Sequence, residues 1–293
     1  MTTAPLTHRV WKIGTISLLL IISLQLTLMG FFKPRATLTE HSPVREEHRT
    51  PGRKVIYMLF DALREDFLQW PEDQDLNLDP EESYAYTGKK VTIFNEMVES
   101  QPENALLLPL KSEMPTVTVV RIKGILSGIL STVFEFTESI LLAGYFTEDN
   151  LLYQMHQKLG EKARVVFYGD DIWTNQFGKW WTRYADWNSL DINDLDTLDT
   201  NVSKHVLSEL ENGSDFDFML VHMIGVDSAG HTFGSKHPQI ERKLGLTEDF
   251  IRKVIEKMDD ETTLVVYGDH GMTVGGSHGG NSLLEMHTAV FAY

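Results

Sequence analysis

The chain has no cysteine in its 293 residues, which excludes disulfides, thiolate catalysis and cysteine-ligated zinc. It is short of basic residues: 26 Lys and Arg face 42 Asp and Glu, a formal net charge of −16 with a pI near 5.1. Nonspecific binding to phosphate backbones needs a basic face, so nucleic acid is not an expected partner. No Cys-x-Pro-x-Arg segment is present to supply the modified nucleophile of a sulfatase, and no internal repeat or low-complexity tract appears. The length suffices for one large α/β domain or two small ones.

One long apolar run is present. Ile13 to Phe32 carries no charge and is long enough to cross a hydrocarbon core of ~30 Å as a helix. No small-x-small cleavage site follows it cleanly, which favours an uncleaved membrane anchor over the alternative of a long cleaved signal. The basic flanks, Arg9 and Lys12 before, Lys33 and Arg35 after, are too even to orient it. Residues 1–12 then form a tail, 13–32 the transmembrane helix, and 33–52, with Pro34, Pro43 and Pro51, a linker. The sequons at Asn201 and Asn212 would take glycans if that region faces a secretory lumen.

From residue 53 short apolar runs alternate with helical patterns. Strands are expected at Val55–Phe60, Arg164–Tyr168, Phe216–Ile224 and Thr263–Tyr267, with helices near 119–130, 149–159, 200–211 and 239–258. Strands apolar on both faces and separated by helices imply a mostly parallel sheet in a three-layer α/β/α sandwich. Pro71 to Pro109, acidic and irregular, reads as an insertion near the site. The chain closes on a strand-like run, Ala289–Tyr293, which reads as the truncated end of a domain spanning 53–293.

Three aspartates stand just past the apolar runs: Asp61 after VIYMLF, Asp227 after FMLVHMIGV, and Asp269 after LVVYG. His231, His270 and His278 follow at short distances. A parallel sheet gathers such residues at the carboxyl ends of its strands. Carboxylate with imidazole suits zinc or manganese, and two such ions about 3.5–4 Å apart can clamp the attacking and leaving oxygens of a phosphoryl transfer. In MPTVTVVRIKGILSGI, Pro115 precedes Thr116 and Thr118 at an expected helix start, where free N–H groups favour a bound phosphate. Thr118 is the better-placed nucleophile; either threonine could be an N-cap instead. His222 falls mid-strand and reads as a hydrogen-bonded core residue rather than a ligand.

Six ordered motifs, Phe60–Arg64, Pro115–Arg121, Tyr168–Trp173, Asp194–Asn201, His222–His231 and Gly268–Thr273 with Ser277–Gly280, resemble the luminal catalytic domain of the GPI ethanolamine phosphate transferases, most of all the type-three enzymes. That resemblance implies an alkaline-phosphatase-like fold, a zinc pair and a Thr or Ser nucleophile. Carried across, it implies that Asp61, Thr118, Asp269 and His270 surround one zinc, and that Asp227, His231 and His278 bind the other.

It further implies an endoplasmic reticulum membrane protein with its catalytic domain in the lumen. Ethanolamine phosphate would pass from phosphatidylethanolamine through phosphothreonine to a mannose, the third, of a GPI glycolipid, with a small membrane-protein subunit as a partner. Asp170, Asp171 and Trp173 are then candidates to contact the ethanolamine ammonium or a sugar; the alternative is a loop whose Trp packs on the core. Val120 stands where relatives usually have proline, and Ser228 where they often have histidine. Such enzymes also carry a multi-span membrane half downstream. The same metal chemistry would serve a phosphodiesterase or nucleotide pyrophosphatase, and a binding domain without turnover is the non-enzymatic alternative.

Overall fold

The computed structural model describes residues 6–31, 41–43, 54–71, 85–129, 146, 148–189, 191, 194–213 and 215–293. Most of the expected linker 33–52 and the first five residues of the tail lie outside them, as does Ser214 of the second sequon. The chain divides into two compact units, Met1–Thr37 and Leu38–Tyr293. The first contains α1 (Leu6–Phe31), a helix that begins seven residues earlier than expected. Val10–Gly30 of it is long and apolar enough to cross a membrane, with a mean hydropathy of 2.0 and none of it buried.

The second unit is built on a seven-stranded sheet. Its elements run β1 (Lys54–Phe60), α2 (Ile93–Ser100), β2 (Leu106–Lys111), α3 (Thr118–Ser127), α4 (Leu151–Leu159), β3 (Val165–Asp170), α5 (Ile172–Phe177), β4 (Arg183–Trp187), α6 (Thr197–Glu211), β5 (Phe218–Met223), α7 (Gly225–Phe233), α8 (Pro238–Lys257), β6 (Thr262–Tyr267), α9 (Leu283–Met286) and β7 (His287–Ala292). The strand order is β2-β7-β6-β1-β5-β3-β4. The five strands from β6 to β4 pair in parallel, and β7 and β2 add an antiparallel edge.

Alternation along the central strands explains the layers. Ile56, Met58 and Phe60 of β1 face one core with Phe94 of α2, Leu198, Val202 and Val206 of α6, and Ile251 and Val254 of α8. Leu59 turns the other way, toward Ile122 and Leu126 of α3, Leu152 of α4, and Trp173 and Phe177 of α5. Each such buried aliphatic side chain contributes about 1.5–3 kcal/mol, so the sheet is held from both faces and the three-layer sandwich follows.

The expected irregular insertion at 71–109 is corrected from residue 85 onward, since it holds α2 and β2; residues 72–84 lie outside the described residues. Pro109 hid the strand. It is tolerated because β2 is the sheet edge, where a missing N–H breaks no inner ladder. The helix expected from 149 starts at Leu151, because Asn150 caps it by accepting the N–H of Tyr153 at 3.0 Å.

Candidate metal centre

Strands β6, β1 and β5 are neighbours and parallel, so their carboxyl ends lie side by side. Asp61 follows β1 directly, Asp269 follows β6 by one glycine, and Asp227 sits in the first turn of α7 after β5. His231 lies one turn further along α7, its Nε2 3.3 Å from Asp227 Oδ2. His270 Nε2 is 3.4 Å from both Asp61 Oδ1 and Asp269 Oδ2. His278 comes back over this edge on the loop after β6. Its Nε2 lies 3.0 Å from His231 Nε2 and 3.5 Å from Asp227 Oδ1, and its ring stacks on His270 at 3.9 Å between centroids.

The two threonines do different things. Thr116 is fully buried: its hydroxyl donates to Gly280 O at 2.9 Å and accepts from Gly279 N at 2.8 Å, and its carbonyl takes His278 Nδ1 at 2.7 Å. It therefore fastens the loop that carries His278. Thr118, the first residue of α3, puts its hydroxyl 3.3 Å from Asp61 Oδ2 and 3.2 Å from His270 Nε2.

Two of the ring nitrogens that face the cluster, on His270 and His278, can offer a lone pair to a cation. A carbonyl only accepts, so His270 Nδ1, 2.9 Å from Gly271 O, and His278 Nδ1, on Thr116 O, must carry the protons, leaving each Nε2 with its lone pair. Asp61 Oδ1, Asp227 Oδ1 and Asp269 Oδ2 are buried and accept no hydrogen bond. Buried carboxylate oxygens without donors, beside imidazole lone pairs, form a donor set that fits divalent metal. Two ligand groupings satisfy the spacing, with atoms within 4.8 Å of one another: Asp61, Asp269 and His270, and Asp227, His270 and His278. His270 stands in both.

The charges support the same reading. Burial and the neighbouring carboxylates push the pKa of Asp227 well up, and burial with Asp61 does the same to Asp269. Burial draws His270 down to about 3, so that ring is neutral. Asp61 differs. Burial would raise it, but the hydrogen bond from His222 and the imidazoles of His270 and His278 bring it to about 2.

His222 is the hydrogen-bonded core residue its mid-strand position implied, and its partners tie it to the centre. It is fully buried on β5, and its Nδ1 accepts the indole N–H of Trp173 at 3.0 Å. Its Nε2 must then carry a proton, which it donates to Asp61 Oδ2 at 3.2 Å. Of the two readings of Trp173, the structure gives the packed one: the indole bond to His222 and its full burial place the ring in the core and correct the reading that its face meets a substrate. Asp170 is also buried and accepts the N–H of Ile172 at 3.0 Å, while Asp171 is half-buried, its pKa raised to about 6 by burial and by Asp170. Asn201 lies within α6 and Asn212 at its C-terminal end, exposed.

The motif Asp194–Asn201 proves structural. Asp199 Oδ1 accepts the N–H groups of Ile224 and Gly225 at 3.0 and 3.2 Å, and its Oδ2 pairs with the buried Lys243 at 2.5 Å. It thereby holds the turn that delivers Asp227.

Residues 144–288 match the family model for type I phosphodiesterase / nucleotide pyrophosphatase. The chain is 33% identical over 282 residues to GPI ethanolamine phosphate transferase 3, catalytic subunit, of Homo sapiens, covering 90% of this chain and 25% of that protein. It is 32% identical over 281 residues to GPI ethanolamine phosphate transferase 3 of Saccharomyces cerevisiae, covering 95% and 27%. The chain thus spans about a quarter of the length of these curated relatives. Among solved structures, it shares a fold with the C-terminal periplasmic domain of EcEptC from Escherichia coli in complex with Zn, at a TM-score of 0.58 and 12% identity, covering 86% of this chain and 76% of that one.

Proposed function

We propose that this chain, which belongs to the GPI ethanolamine phosphate transferase family, carries the phosphoryl-transfer centre of an ethanolamine phosphate transferase. The reading rests on one observation: Thr118 presents its hydroxyl to Asp61 and His270 beside three buried carboxylate oxygens that lack donors.

Asp61, Thr118, Asp269 and His270 would hold one divalent ion, and Asp227, His231 and His278 a second, both proposed as zinc. Bound there, the ions would lower the pKa of the Thr118 hydroxyl and neutralise charge on the phosphoryl oxygens. Asp61 Oδ2 orients that hydroxyl, and His222 holds Asp61. Thr118 Oγ attacks the phosphorus of phosphatidylethanolamine. The bond to the diacylglycerol oxygen breaks, that oxygen leaves as the alcohol with the proton the Thr118 hydroxyl gives up, and the ethanolamine phosphate stays esterified to Thr118 Oγ as the phosphothreonine intermediate. A mannose hydroxyl of the GPI glycolipid, the third mannose in this proposal, then attacks the same phosphorus and returns Thr118 as a free hydroxyl. Asp170 and Asp171, at the end of β3 on the same sheet edge, are proposed to meet the ethanolamine ammonium.

The proposal places residues 13–32 in the endoplasmic reticulum membrane, 33–52 as a linker and 53–293 in the lumen, where Asn201 and Asn212 would be open to glycosylation. The test uses the full-length protein with labelled donor. Thr118→Ala should abolish transfer and phosphothreonine while zinc stays bound. Undiminished transfer would refute the role of Thr118. Release of free phosphoethanolamine without modified glycolipid would favour hydrolysis.

A further inference from the structure

Arg121 stands one turn beyond Thr118 on α3, and residues three apart on a helix share a face. Its Nη1 donates to the Glu113 carbonyl at 3.2 Å. Its Nε is buried and has no hydrogen-bond partner, and among the described residues no carboxylate pairs with the guanidinium. Burial draws its pKa down while the charges of Asp269 and Glu113 act the other way, so this cation lies in the field of the metal centre itself. Glu113 is tied to the same place through its neighbour Ser112, whose hydroxyl donates to the Asp269 carbonyl.

A guanidinium stays charged at any accessible pH, and a buried N–H without a partner is costly to keep. The chemistry proposed for Thr118 brings an anion to this spot that would pair with it. We infer that Arg121 binds a non-bridging oxygen of the substrate phosphodiester through Nε and the neighbouring Nη2. The planar fork of these two groups matches phosphate oxygens in a way that one ammonium cannot. This inference rests on the two-metal reading of the Thr118 site. It makes Arg121 a ligand of the substrate rather than of the metal, and so the residue that distinguishes a phosphoryl group from other anions at the centre.

The rival account is a structural clamp, in which the Nη1 bond to Glu113 simply ties α3 to the segment after β2. Titration of the zinc-loaded full-length protein with inorganic phosphate, followed by calorimetry, separates the two. Arg121→Met should weaken phosphate binding about 10- to 100-fold, the loss of one or two charge-assisted bonds, with zinc content and melting temperature unchanged. Arg121→Lys should recover part of that loss. Should Arg121→Met melt early, Arg121→Lys decides, because it keeps the stem and the charge and should still bind phosphate more weakly than the parent. Parental phosphate affinity in a folded variant overturns the inference. Failure of the Thr118 reading would register separately, as transfer by Thr118→Ala, since phosphate titration needs no turnover.

Discussion

His222 offers the sharpest test of how the centre is held. It contributes no metal ligand in this geometry; its Nε2–H fixes the Asp61 carboxylate, and Trp173 fixes the ring from behind. Replacing it with Leu removes a hydrogen bond to a buried charged oxygen, worth about 1.5–3 kcal/mol. At 1.36 kcal/mol per tenfold, that is roughly a 10- to 150-fold loss of metal affinity, the size expected when a group supporting a ligand is lost. His222→Gln, which can present an amide N–H toward Asp61, should recover part of it. The measurement is zinc competition against a chelator of known affinity, with circular dichroism to confirm the fold. If His222→Leu competes for zinc as well as the parent, Asp61 needs no support, and the chain from Trp173 through His222 to the centre is incidental.

Lys243→Met should destabilise the fold by about 3–5 kcal/mol in denaturant titration, because it strands the Asp199 carboxylate that caps the turn before Asp227; a loss under ~1 kcal/mol would show that this pair is not structural. Gly276→Ala should cost about 1–3 kcal/mol for its φ of +81° alone, and more because an added Cβ would fall 1.8 Å from Gly230 O; an unshifted melting curve would contradict the close approach of the His278 loop to α7. Zinc binding by the metal-free chain should release protons, since Asp227 and Asp269 have raised pKa values and must ionise to coordinate, so affinity should fall as pH drops. Calorimetry in buffers of differing ionisation enthalpy reads this directly, and uptake without proton release would count against those ligands. Glu96, whose pKa is brought to about 2 by hydrogen bonds from Arg252 and Thr92, favours folding above its unfolded value near 4.5. Glu96→Gln should remove the part of the acid destabilisation that develops between those values as pH falls, seen as a flatter stability profile.

The three candidate aspartates could be picked out without coordinates because each follows an apolar run, and parallel strands align their carboxyl ends whatever the loops between them do. The membrane-spanning length of α1 and the strand–helix alternation were legible for the same reason: hydrophobic period is a local property. Other features depend on contacts between segments far apart in sequence. Pro109 argues against a strand unless β2 is known to be an edge. Sequence prefers Thr118 over Thr116 only by its place at the expected helix start; what separates them in the fold is the loop at 278–280, more than 160 positions away, which uses up the hydroxyl of Thr116. His222 reads as hydrogen-bonded core from its strand position and is so, but which partners it bonds, Trp173 on one side of its ring and Asp61 on the other, only the fold shows. Amino-acid sequence determined which chemistry the chain could hold, through residue type and period. Tertiary structure alone decided which of those groups come together, because hydrogen-bond partners and burial are set by residues that meet only in the folded chain.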